Sequence, residues 1–162
     1  MIGDCTFQAY VDGKGWQDEV GNNKMMGTTG QSKRIEAVKL SLQSGAEGNI
    51  TEVYSGTIGY KAYMQSTGWQ ENAWNGNEAG LAGQGKRLEA IQICLTGELA
   101  KYCDVYYSAH VQAYGWLGWA KNGQTAGTTN CAYRMEALQI AIVPKTAPAP
   151  GANNNYFKNV KK

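Results

Sequence analysis

Tyr107-Ser108-Ala109-His110-Val111-Gln112, then Gly115-Trp116, then Gly127-Thr128-Thr129, and finally Arg134-Met135-Glu136-Ala137-Leu138 spell out a unit that this chain contains three times. The other copies run through Gly15-Trp16-Gln17 to Arg34-Ile35-Glu36-Ala37 and through Gly68-Trp69-Gln70 to Arg87-Leu88-Glu89-Ala90. The tryptophan-to-arginine spacing is the same in all three (16 to 34, 69 to 87, 116 to 134). A fixed internal period is the signature of a repeat architecture. Positions that agree among the copies should hold the scaffold, and positions that differ should hold what is particular to this protein.

Each copy opens on an alternating segment. Phe7, Ala9 and Val11 correspond to Tyr60, Ala62 and Met64, and to Tyr107, Ala109 and Val111. Tyr10 and Asp12, Tyr63 and Gln65, and His110 and Gln112 fall in the opposite row. Each copy closes on a second such segment, with Val38/Leu40/Leu42, Ile91/Ile93/Leu95 and Leu138/Ile140/Ile142 on one face. Residues Lys33 to Leu42 contain good helix formers, but a period of two recurs in every copy, and that period belongs to a half-buried strand. Between the strands, Gly27, Gly80 and Gly127 keep one distance from their tryptophan, as expected where the backbone needs a positive φ or a close approach.

Composition agrees. The 162 residues include 21 glycines, 10 tyrosines and 5 tryptophans but only 17 % charged residues, which favours a turn-rich β-protein over a helical bundle. A net charge of +2 with no basic cluster before the C-terminus argues against a nucleic-acid partner, and no apolar run is long enough for membrane insertion. Cys5, Cys94, Cys103 and Cys131 form no Cys-x-x-Cys spacing and occupy no equivalent positions, so no metal site is expected. Cys94 and Cys103 flank one connector and are the best-placed disulfide pair. Cys5 with Cys131 needs the chain ends to meet, and buried thiols are the alternative.

The expected domain spans 1–143, with copies at about 5–53, 58–104 and 105–143. Gln43 to Thr57 is the longer connector and Thr96 to Asp104 the shorter. All three prolines fall after the last copy, and 144–162 reads as a Pro/Asn-rich linker or tail. No signal peptide opens the chain, and the tail resembles an inter-domain linker cut short, so the sequence reads as part of a longer protein.

No constellation points to catalysis. Glu36, Glu89 and Glu136 each stand two residues from an arginine, as a strand-tying ion pair does, and three copies of one pair offer only one environment. His110 is the only histidine, and its counterparts are Tyr10 and Tyr63, so the position calls for a flat amphipathic ring rather than a base. No phosphate loop and no cofactor motif occurs. The aromatic residues carry the binding signal. Trp16, Trp69 and Trp116 read as packing residues because every copy has one. Trp74 and Trp119 vary in position and lie among Asn, Gly and Lys, where a ring can stack on a sugar while amides bond its hydroxyls. The candidate ligand-binding residues are therefore Trp119 and Trp74, with Tyr10, Asp12, Tyr63, Gln65, His110 and Gln112 as the supporting row.

The pattern from Tyr107 to Leu138, with Trp119, Asn122-Gly123 and Ala126-Gly127, closely resembles the clostridial hydrophobic repeat with a recurring tryptophan, the ChW repeat. The resemblance covers essentially residues 5 to 143. It implies a secreted or cell-surface module of Gram-positive anaerobes, of the kind appended to wall-lytic or other surface enzymes, that binds carbohydrate, cell wall or protein. The first copy departs from the pattern with Glu19 at the second tryptophan position, and the second with Asn72, Trp74 standing two residues on. Three copies, each too small to bury its own core, are expected to pack as an all-β, pseudo-threefold, β-prism-like domain, with a β-trefoil as the alternative. The expected function is non-catalytic recognition of cell-wall or other polysaccharide, the alternative being a protein–protein module of a surface assembly.

Overall fold

The structure, a computed structural model, describes residues 4–43 and 54–159. Most of the longer connector, residues 44–53, lies outside the described residues. In each copy two long antiparallel strands form the frame: β1 (Asp4–Val11) with β4 (Ile35–Gln43), β5 (Ile58–Met64) with β9 (Leu88–Leu95), and β10 (Cys103–Val111) with β13 (Met135–Pro144). The Gly-Trp pair of each copy begins a strand on the outer edge of the opening strand: β2 (Gly15–Trp16), β6 (Gly68–Trp69) and the longer β11 (Gly115–Lys121). The second copy adds β7 (Ala73–Trp74), also on β5. A six-residue helix, α1 (Gly97–Tyr102), sits in the shorter connector, where the sequence gives no sign of it.

The remaining short strands leave their own copies. β3 (Met25–Gly27) of copy one pairs with β13 of copy three. β8 (Glu78–Gly80) of copy two pairs with β4 of copy one, and β12 (Thr125–Thr129) of copy three pairs with β9 of copy two. The exchange is cyclic, so every copy gives one strand and receives one. The apolar rows expected from the alternation meet inside: Phe7, Ala9, Val11, Val38, Leu40, Ile58, Tyr60, Ile91, Ile93, Val105, Tyr107, Leu138 and Ile140 are all essentially inaccessible. Two buried ring hydroxyls are hydrogen-bonded, that of Tyr60 across to copy one. Tyr60 Oη accepts from Leu40 N at 3.1 Å and donates to Asn77 O, and Tyr107 Oη donates to Gln124 O. Burial pushes both phenols above their ordinary range.

The exchange rests on a β-bulge repeated three times. Tyr10 faces Ala37 and Val11 faces Ile35, so Glu36 is the extra residue. Glu89 and Glu136 are extra in the same way. A bulge leaves one residue out of the ladder and re-aims it. The carbonyl so released is taken by the incoming strand: Leu81 N donates to Glu36 O and Thr28 N to Glu136 O, both at 2.9 Å. The approach is close enough to require glycine. A Cβ on Gly27, Gly80 or Gly127 would lie 2.4 Å from the oxygen of Glu136, Glu36 or Glu89, and all three glycines have φ between 90° and 107°.

The segment 144–159 returns to copy three. It ends in β14 (Phe157–Asn159), parallel to β12. In copies one and two, Gln17 and Gln70 accept from Gly27 N and Gly80 N through Oε1, at 2.9 and 2.8 Å. Copy three has Leu117 there, and the Tyr156 carbonyl accepts from Gly127 N instead, at 3.0 Å. The tail therefore completes the third copy.

Candidate functional site: outward tryptophans beside inter-copy grooves

The tryptophans of the Gly-Trp pairs do not enter the core. Trp69 and Trp116 are 37 % and 43 % exposed, and Trp16 is half-buried. These three, expected as core or packing residues, thus lie outside the core and pack on rings of their own copies. The Gly-Trp strands run along the outer edge of the opening strands, where Trp16 is opposite Tyr10, Trp69 opposite Tyr63 and Trp116 near His110. Those partners belong to the row facing away from the core. Each pair packs edge to face, with centroids 5.5, 5.3 and 5.3 Å apart and interplanar angles of 81°, 76° and 82°. This ring-on-ring contact explains why the position of His110 takes only flat side chains.

Beside each aromatic pair lies the bulged glutamate. Arg34 Nε donates to Glu36 Oε2 at 2.9 Å, Arg87 Nε to Glu89 Oε2 at 2.6 Å, and Arg134 Nε to Glu136 Oε2 at 2.9 Å. The glutamates are buried and the arginines about three-quarters so. A loop from the next copy meets this pair. Gly83 N and Gly85 N donate to Glu36 Oε1 at 2.9 and 3.4 Å. The loop needs left-handed backbone at two residues, Gly83 and Gly85, as its counterparts do at Gly30 and Ser32 and at Asn130 and Ala132. Between copies two and three the arrangement encloses an open cavity of about 490 Å³, lined by Tyr63, Ser66, Thr67, Arg87, Glu89 and Asn130 among others. Between copies one and two a smaller one, about 250 Å³, is lined by Tyr10, Asp12, Arg34, Glu36 and the loop glycines. At the third junction His110 Nδ1 lies 3.1 Å from Glu136 Oε1.

Of the candidate ligand residues, Tyr10 and Tyr63 line these cavities, and His110 stands at the third junction beside Glu136. Their neighbours mostly support the loops: Asp12 Oδ1 accepts from Arg34 Nη2 at 3.1 Å, Gln65 Oε1 from Arg87 N at 3.2 Å, and Gln112 Oε1 from Arg134 N at 3.3 Å. Trp74 stands apart on β7, 41 % exposed, with its ring over Gly59. Trp119 lies within β11 rather than in a loop and is half-buried. Its backbone N donates to Ala152 O at 2.8 Å, and Gly151 packs on its indole. Sequence reasoning missed Arg87, Ser66, Thr67 and Lys61 as groove residues. Only the outward register of Trp69 opposite Tyr63 could have drawn attention to them.

Cys94 and Cys103 line one cavity of about 230 Å³ as two thiols, and burial pushes the Cys103 thiol up. Among the described residues no group of three His, Cys, Asp or Glu side chains converges as a metal site would, and no helix is long and apolar enough to cross a membrane.

The family model described as clostridial hydrophobic W matches residues 10–44, 63–97 and 110–144. No curated protein and no solved structure matches the chain. The matched segments begin at the outward ring of each copy, Tyr10, Tyr63 or His110, and take in its whole closing strand, and together they cover more than half of the chain. With its repeated Gly-Trp, bulged glutamate and exchanged strand, the chain belongs to the clostridial hydrophobic W (ChW) family, as three tandem copies.

Proposed function

We propose that this domain is a non-catalytic binding module of a secreted or cell-surface protein, and that it holds its parent against cell-wall or other polysaccharide. The observation that carries the reading is the outward placement of Trp16, Trp69 and Trp116 on the rings of Tyr10, Tyr63 and His110, with Tyr10 and Tyr63 themselves lining cavities where two copies meet. An exposed indole offers a flat apolar face to a sugar ring, while nearby amides, hydroxyls and guanidinium groups bond its hydroxyls. Repetition adds avidity where single sites are weak. The Arg–Glu pairs are structural ties, since each glutamate is held by the arginine just before its own strand and Glu36 also by backbone donors of the next copy. A β-prism-like packing of the three sheets suits the cyclic exchange better than a trefoil, because the closing and opening strands of each copy stay in one sheet.

The second reading, a protein–protein module, draws on Tyr102, Tyr114 and Met25, which are exposed alongside the tryptophans, as aromatic and methionine side chains are at interfaces. Retention on chitin, cellulose and protein-stripped Gram-positive cell walls separates the two. Retention on at least one supports the polysaccharide reading. Retention on none, with a surface protein recovered by the immobilised domain, refutes it.

A further inference from the structure

The three tryptophans are not equally available, and their surroundings rank them. Over Trp16 the Lys39 ammonium stands 4.3 Å from the ring centroid, and the ring is only partly exposed. Beside Trp116 one flank is filled. Gly118 N donates to Asn155 O at 3.2 Å, Trp119 N is bonded to Ala152, and a Cβ on Gly118 would fall 1.7 Å from Asn154 O. The tail thus lies along the stretch of β11 that follows Trp116.

The residues before and after Trp69, Gly68 and Gln70, each line a cavity. Towards Tyr63 and Gly68 lies the 490 Å³ junction cavity, with the Ser66 and Thr67 hydroxyls, the Asn130 amide and Arg87. Among the described residues Arg87 bonds a side chain only through Nε, to Glu89, whereas Arg34 also holds Asp12 through Nη2. The outer end of the Arg87 guanidinium is therefore available to the cavity. Towards Gln70 lies a second cavity of about 410 Å³, lined by Lys61, Gln70, Glu71 and Asn72. Lys61 Nζ stands 5.4 Å from the Trp69 ring centroid. Lys61, which lines one cavity, and Tyr63, which lines the other, are two residues apart on one face of β5, a rise of roughly 7 Å, and Trp69 packs on Tyr63 over that face with Lys61 near its ring.

We infer that copy two holds the principal ligand site, and that its ligand is a linear carbohydrate chain crossing Trp69. One sugar stacks on the indole and its neighbours enter the cavities on either side. This rests on the polysaccharide reading and deepens it. Two open flanks fit the interior of a chain rather than a terminal sugar. Both are lined by groups that donate and accept, as a run of sugar hydroxyls requires. Copy three presents its ring with one flank closed, and copy one with its ring shared with Lys39.

The test compares Trp16→Ala, Trp69→Ala and Trp116→Ala on whichever of chitin, cellulose or stripped wall retains the unaltered domain, with Trp69→Phe as a ring-preserving control. Circular dichroism and melting temperature establish that each variant is folded. Trp69→Ala is expected to weaken retention at least tenfold and Trp69→Phe less, with the other two changing it by no more than about twofold. Soluble β-1,4-linked N-acetylglucosamine or glucose oligomers, matched to the retaining polymer (released glycan strands for wall), should compete poorly as the disaccharide and fully from the trisaccharide upward. Equal losses in Trp16→Ala or Trp116→Ala, or a disaccharide as effective as a hexasaccharide, overturn the inference and leave the polysaccharide reading standing. Retention of the unaltered domain on none of the three overturns both.

Discussion

Glu36 illustrates how one residue sets both the assembly and the surface. Its displacement at the bulge frees a carbonyl for the strand of copy two and turns its carboxylate towards Arg34 and the loop at Gly83. Glu89 does the same work for Arg87 without a second acid like Asp12 beside it. Glu89→Ala leaves a largely buried guanidinium unpaired and is expected to cost roughly 3 kcal/mol in urea unfolding, against well under 1 kcal/mol for Asp12→Ala, which is partly exposed. Glycines divide in the same manner. Gly80 has φ +107° and lies against Glu36 O, whereas Gly30 has φ +70° and open space around it. Gly30→Ala should cost about 1 kcal/mol from backbone conformation alone. Gly80→Ala should cost on the order of 3 kcal/mol or prevent the exchange, because strain and collision add. Parallel chemical denaturation of the two variants checks the difference.

Among the elements, the tail behaves as part of copy three. Lys145 Nζ is 2.6 Å from Asp104 Oδ1, Lys121 Nζ is 3.4 Å from Oδ2, and Asn122 Nδ2 donates to Oδ1 at 2.8 Å. Burial pushes Asp104 up, but the bonds from Lys145 and Asn122 and the nearby lysine charges outweigh it and hold the carboxyl below the usual range. A depressed carboxyl contributes its full stability above the unfolded value, about 3.9, and loses it as pH falls through the folded value. Melting temperature should therefore drop below about pH 4, and Asp104→Asn should flatten that part of the profile while lowering stability at neutral pH. Leu117 explains why the tail is needed, since a glutamine there would reach Gly127 N as Gln17 and Gln70 reach their glycines. Leu117→Gln is expected to compete with the Tyr156 carbonyl, loosen β14 and speed tryptic cleavage at Lys158 relative to the unaltered chain. An unchanged cleavage rate would mean that the tail is held by its other contacts.

At the scale of the molecule, cyclic exchange makes the copies interdependent. No copy has a complete sheet of its own, so thermal unfolding should be one calorimetric transition with van't Hoff and calorimetric enthalpies in agreement. The repeat, the two long strands per copy and the buried rows were legible in the sequence, because a period of two recurring three times admits few other readings. The Arg–Glu pairing followed from a separation of two residues. Strand exchange was not legible, since Met25–Gly27 and its counterparts are too short to show which copy they join. The outward tryptophans were misjudged for a related reason. Repetition marks what every copy needs, and an exposed ring stacked on Tyr10, Tyr63 or His110 recurs as faithfully as a buried one. The tail was legible as Pro- and Asn-rich but not as a strand, because its place depends on partners distant in sequence, among them Gly127 N, Gly118 N and Trp119 N.

The most direct test is a variant carrying Trp16→Ala, Trp69→Ala and Trp116→Ala together, measured for melting temperature and for retention on the polysaccharide that holds the unaltered domain. Outward rings that serve as the ligand platform predict a cooperative melt within a few degrees of the parent and loss of retention. A domain that no longer folds, or one that folds and is retained as before, would contradict the account.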